Sequence, residues 1–118
     1  VSDPLFASIL VGLGGSVGAV GRHAVGLRIQ DRRSVVVVNA LGSLALGALL
    51  AAPIGSEATL FAAVGFCGAF TTFSSFAVET VSTAADGEGR TAARFAAANL
   101  AAALLAFLVG AALGGGVA

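Results

Sequence analysis

The sequence predicts an all-α membrane protein with four transmembrane helices, and three observations carry that prediction. The 118 residues are 58% hydrophobic with a mean hydropathy of +1.01, and 10% are charged, against roughly 25% in an ordinary soluble domain. So little charge cannot clothe a soluble domain, and the apolar residues must face lipid instead. A hydrocarbon core about 30 Å thick takes about 20 apolar residues per helix, and the chain supplies four such stretches, at about 4–27, 35–52, 59–85 and 91–113. Those stretches consume nearly the whole chain, so residues 1–118 read as a single transmembrane domain.

The remaining composition excludes several classes of function. Net charge is zero, from six arginines, no lysine and six acids, whereas nucleic-acid binders are usually strongly basic. Cys67 is the single cysteine, so no disulfide forms within a chain and no cysteine-based metal site exists. Its expected role is that of a small buried residue. The opening VSDPLF lacks the positive region of a signal peptide, and the apolar stretch behind it is too long for one. That stretch is read as a spanning helix.

In the first span Pro4 suits a helix start, where a missing N–H costs nothing. Gly12, Gly14, Gly15, Gly18 and Gly21 follow, and Gly14-x-x-x-Gly18 has the spacing of closely packed membrane helices. A dinucleotide-binding G-x-G-x-x-G would need glycine where Val17 stands, and a strand before it. Arg22 and His23 come near the end of the span. Arg22 either snorkels toward headgroups, anchors another helix or lines an aqueous vestibule, and His23 has no second metal-ligand candidate near it.

The basic stretch RIQDRRS (28–34) leads into the second span, which ends before Pro53. Asn39, Ser43 and Gly47 lie one turn apart on one face of it. An asparagine inside a span is costly without partners, which points to an interhelical hydrogen bond or a functional site. The turn 53–58 carries Glu57 and no cation. The third span is the least regular, with Thr71, Thr72, Ser74 and Ser75 clustered at its middle. Such side chains compete for backbone hydrogen bonds and open helices, so a break is expected near 68–72, buried in protein or lining a cavity. The polar loop 86–90 precedes an alanine-rich fourth span whose strongly polar residues are Arg94, at its start, and Asn99. The closing GGGVA is expected to fray.

With four spans, the N-terminus, the turn 53–58 and the C-terminus share one side of the membrane. Arg28, Arg32, Arg33, Arg90 and Arg94 all lie on the other side, and Arg22 is nearest to it. Arginine marks the cytoplasmic side, so both termini are expected outside the cell membrane.

The block GFCGAFTTFSSFAVE (65–79) resembles the signature of the CrcB/Fluc family of fluoride channels. GLGGSVGAVGRH (12–23) and VVNALGSLALG (37–47) resemble that family's first- and second-span motifs, in the same order and spacing. The resemblance implies small four-helix subunits that pair antiparallel in the membrane, with two pores per dimer and passive export of fluoride that relieves its toxicity. It implies a third helix broken at its centre and a structural sodium ion on the dimer axis, held by main-chain carbonyls. By motif position those carbonyls belong to Gly68 and Thr71, the pore-lining phenylalanines are Phe73 and Phe76, and Asn39 is the second-span pore residue. Arg22 and Glu79 match a first-span arginine and a vestibule acid. Asn99 matches no family position.

The chemistry of these residues agrees. Fluoride is small and strongly hydrated, so a pore must replace its water with donors, which Asn39, Thr72, Ser74 and Ser75 possess. Aromatic edges are positive and meet an anion without trapping it, and conduction requires sites weak enough to release the ion. Taken without the resemblance, Phe73 and Phe76 read first as core packing. The alternative function is a proton-coupled transporter of the small multidrug-resistance type, which resembles this chain in size but needs a carboxylate in its first helix. Residues 4–27 contain none. The arginines add one further expectation. An antiparallel homodimer requires each chain to insert both ways, whereas five arginines against none favour one orientation. A heterodimer with a homologous subunit of opposite bias is therefore expected, with a homodimer as the alternative.

Overall fold

The computed structural model describes residues 3–116. Every regular element among them is helical: α1 (Pro4–Arg28), α2 (Arg33–Ala51), α3 (Ser56–Ala58) running into a π-helical segment (Thr59–Cys67), α4 (Gly68–Phe70), α5 (Ser74–Ala85) and α6 (Gly89–Gly115). Taken as one stretch, Ser56–Ala85 joins α1, α2 and α6 as the fourth of four helices long and apolar enough to cross a membrane.

Local chemistry sets the ends. The Asp3 carboxylate accepts the Leu5 N–H at 3.0 Å, and Pro4 opens α1. After α1 the chain reverses through Asp31, whose φ of 69° lies in the left-handed region that aspartate tolerates. Asp31 accepts the Arg33 backbone N–H at 2.9 Å and its guanidinium at 3.3 Å. The backbone bond, with the arginine charge behind it, holds the Asp31 carboxyl below its ordinary range. Ala52 is extended ahead of Pro53 and closes α2. Gly87, at φ 85°, makes the turn into α6.

Consecutive spans run in opposite directions, so the intimate contacts form between spans two apart, which run parallel. The first pair is α1 with the third span. A Cβ on Gly14 would overlap the Phe61 carbonyl, and one on Gly18 the Phe66 carbonyl. Gly14 and Gly18 are four residues apart, one α-helical turn. Phe61 and Phe66 are five apart, the hydrogen-bond span of a π-helix. The wider turn thus brings successive carbonyls opposite successive glycines. The second pair is α2 with α6, where Gly47 meets the Phe107 carbonyl, Gly110 that of Leu44 and Gly114 that of Ala48. The Gly14–Gly18 spacing therefore does what its sequence pattern predicts. The fraying expected at GGGVA is corrected for its first part: α6 continues through Gly115 because Gly114 is clamped on α2. Val1, Ser2, Val117 and Ala118 lie outside the described residues.

The core is thin. Buried hydrophobic side chains include Val35, Val38, Cys67, Phe70 and Phe95, while Leu13, Val20, Leu41, Leu104 and Leu108 are among many that stay exposed. Cys67 is a free, buried cysteine, the packing role expected of it. A fold that buries small residues inward and turns leucine and valine outward is built for an apolar solvent.

Candidate functional site

The site grows from the point where the third span stops being a helix. Thr71 adopts an extended conformation (ψ 162°), and helix resumes at Ser74. In a continuous helix the Thr72 N–H would bond the Gly68 carbonyl. Here it donates to Asn39 Oδ1 at 2.8 Å. The Ser75 N–H, which would bond the Thr71 carbonyl, donates instead to the Thr72 hydroxyl at 3.1 Å, as at a helix N-cap. Side chains have taken the donors, and the Gly68 and Thr71 carbonyls are left without their helical partners.

Asn39 holds this arrangement. It is 8% exposed, and an N–H faces its oxygen, which fixes the orientation of the amide. Its Nδ2 donates to the Thr72 carbonyl and to Asn99 Oδ1, both at 3.1 Å. The amide thus pairs with both the N–H and the C=O of Thr72, as a neighbouring strand would. The two N–H groups of Asn39 are engaged within the chain, and Asn99, which had matched no family position, is its partner. The amide nitrogen of Asn99 is a further donor at the same place.

An open cleft of about 610 Å³ lies beside these groups, lined among others by Asn39, Thr71, Thr72, Phe73, Phe76 and Asn99. Phe73 is 78% exposed and borders the cleft directly. Its ring centroid lies 5.8 Å from that of Phe76, and the Phe76 ring lies 5.6 Å from that of Phe95. Phe76 is thus braced from behind, and Phe73 leans on Phe76 with most of its surface exposed. Among the described residues, no charged one lines the cleft.

A second recess, about 420 Å³, lies on the far side of α5's first turn, with Arg22, Asp31, Ser74, Ser75 and Glu79 in its wall. Arg22 Nη2 donates to Ser75 Oγ at 2.7 Å, tying α1 to the start of α5. Arg22 thus bonds to another helix and also lines the recess. The serine oxygen accepts, so its own proton remains available to donate. The Ser74 and Thr72 hydroxyl oxygens are 3.4 Å apart. His23 is exposed, and no metal-holding group of His, Cys, Asp or Glu occurs among the described residues.

Residues 9–111 match the model of the family described as CrcB-like protein, Camphor Resistance (CrcB). The chain belongs to the CrcB family. It is 53% identical over 112 residues to fluoride-specific ion channel FluC 2 of Natronomonas pharaonis, covering 93% of this chain and 96% of that protein. It is 48% identical over 99 residues to FluC 2 of Haloarcula marismortui (81% and 83% covered). FluC 1 of the same organism is 45% identical over 80 residues (64% and 63%). Membership of the CrcB family, with four helices fit to span a bilayer, makes this a multi-pass membrane protein and not an enzyme.

Within this CrcB chain, Asn39, Thr71, Thr72, Phe73 and Phe76 gather at the first cleft, and Arg22, Ser74, Ser75 and Glu79 at the second. Gly68 and Thr71 line a smaller recess of about 220 Å³ shared with Asn39, Ser43 and Asn99. Sequence reasoning missed Phe95. A phenylalanine in an alanine-rich span carries no signal of its own, and only the fold shows that it backs Phe76.

Proposed function

We propose that this chain is one subunit of a fluoride-selective channel that releases fluoride passively and so relieves its toxicity. The observation that carries the reading is the uncharged cleft at the interruption of the third span, where Asn39, Thr72, Asn99 and two phenylalanine edges converge. Amide and hydroxyl donors there replace fluoride's water, and the absence of a cation lets the ion leave. Asn39 shapes the wall by holding Thr72, and through Asn99 Oδ1 it orients the Asn99 amide nitrogen toward the path. The relatives named fluoride-specific channels support the same reading.

The same reading extends to finer features. The interruption at 71–73 is the mid-membrane break of the family, facing a second, antiparallel subunit. The Gly68 and Thr71 carbonyls fit a structural sodium ion: they are hard oxygen donors stripped of their helical N–H partners, and Gly68 is exposed. A bound sodium would supply positive charge at the dimer axis. Arg22 and Glu79 border a vestibule, and both termini lie outside the cell membrane.

Fluoride efflux from liposomes containing the assembled channel, set against chloride efflux, tests the function. Fluoride flux with chloride retained is the expected result, and no fluoride flux from a correctly assembled complex rejects it. Phe73→Ala is the informative arm. The exposed ring supports little of the fold, so the variant should melt as the parent does and lose at least about tenfold in flux, equivalent to about 1.4 kcal/mol in the barrier.

The partner is a homologous subunit of opposite charge bias. Two relatives, FluC 1 and FluC 2, occur together in Haloarcula marismortui, which supports a paired system. Expressed alone and tagged at its termini, the chain should insert in a single orientation with Arg28, Arg32, Arg33, Arg90 and Arg94 on the cytoplasmic side. Equal labelling of both sides, together with fluoride flux from the lone chain, would establish the homodimer instead.

A further inference from the structure

Because α2 and α6 run parallel, with Asn39 level with Asn99, the first turn of α2 lies beside the second turn of α6 at the arginine-rich end. Between them lies a groove of about 510 Å³ with Val36, Val37, Phe95 and Ala98 in its wall and Arg32 and Arg94 beside them. Arg33 also borders it but is paired with Asp31 at 3.3 Å. Neither Arg32 nor Arg94 has a carboxylate within salt-bridge distance among the described residues.

Depth along α6 defines the ligand. Arg94 is five residues into the helix, about 7 Å from its start, and Ala98 is about 6 Å deeper. The headgroup layer on each face of a bilayer is about 5–8 Å thick. With the start of α6 at the outer edge of that layer, the guanidiniums stand at headgroup level, and the apolar wall runs on into the acyl region. We propose that this groove binds one anionic phospholipid, with its phosphate between Arg32 and Arg94 and the first part of an acyl chain along Val36, Val37 and Ala98. Basic pockets between spans on the cytoplasmic side are where such headgroups bind. The site is separate from the fluoride path, since it shares no residue with either cleft described above.

The test uses the assembled channel in neutral detergent, titrated with phosphatidylglycerol or phosphatidylcholine and read by native mass spectrometry. One phosphatidylglycerol should be retained per copy of this chain, in preference to phosphatidylcholine. The double variant Arg32→Gln/Arg94→Gln should weaken that binding by about tenfold or more, since each basic side chain near an anionic lipid surface contributes about 1 kcal/mol. Arg28, Arg33 and Arg90 remain to hold the orientation. A second readout exploits a chain without tryptophan. Ala98→Trp should be quenched by brominated phosphatidylglycerol, and the quenching should fall in the arginine double variant. Equal retention of the two lipids, unchanged retention in the double variant, or a Trp shielded because the partner subunit covers the groove would each overturn the proposal, whatever the fluoride flux.

Discussion

Asn39→Leu should cost both folding and transport. The asparagine makes bonds to the Thr72 N–H, the Thr72 carbonyl and Asn99 Oδ1, and leucine makes none of them. Each buried polar group left unpaired costs about 1–3 kcal/mol, while hydrogen bonds between membrane helices are worth about 0.6–2 kcal/mol because the unfolded chain also finds partners. The net expectation is a loss of about 2–4 kcal/mol, seen as a lower midpoint when the purified channel is heated and its folded fraction followed by gel filtration. Fluoride efflux should fall to the liposome background, since Thr72 and Asn99 would no longer be held at the cleft. Asn39→Asp separates shape from hydrogen bonding. The carboxylate keeps an acceptor for the Thr72 N–H but sets a charged oxygen against the Thr72 carbonyl and Asn99 Oδ1. It should be no more stable than the leucine variant, although aspartate nearly matches asparagine in volume. Parental melting and flux in either variant would remove Asn39 from the site.

The sequence shows which residues meet more readily than how they meet. Four spans are legible because low charge and span length are global properties that no local detail overrides. The hydroxyl cluster at 71–75 marks an irregular centre through ordinary competition for backbone bonds. Asn39 stands out as a polar residue in an apolar helix, but its bonds do not. Nothing in VVNALG says that the amide pairs with the backbone of Thr72, 33 residues away, because that contact exists only once α2 and the third span lie together. Asn99 is conspicuous for the same reason and untraceable for the same reason. The π-helical Thr59–Cys67 leaves no mark either. LFAAVGF is as compatible with an α-helix, and the wider turn is selected by the glycines of α1 across the interface.

Those glycines give the other large expected effect. Gly18→Val should prevent assembly of the channel. A Cβ at Gly18 would overlap the Phe66 carbonyl oxygen and approach its carbonyl carbon and Cα at 3.0 and 3.1 Å. These are backbone atoms, so no rotamer relieves the clash and one helix must move. Overpacking costs about 1–3 kcal/mol where side chains can adjust, and a rigid backbone facing a branched side chain lies at or above the top of that range. Gly14→Ala meets the Phe61 carbonyl in the same way. At Gly12 and Gly26 an added Cβ has nothing within 4 Å among the described residues, so alanine there should be neutral or stabilising by up to about 1 kcal/mol. Thermal midpoints of the four variants in detergent should therefore divide by position on the helix and not by residue type. Function should follow the same division for a further reason. Arg22 lies one turn beyond Gly18, and its bond to Ser75 is set by how closely α1 approaches the third span. Where some folded Gly18 variant survives, fluoride efflux should still fall, because displacing α1 withdraws the guanidinium from the start of α5. Equal melting of Gly18→Val and Gly12→Ala would mean that α1 and the third span do not meet along this seam.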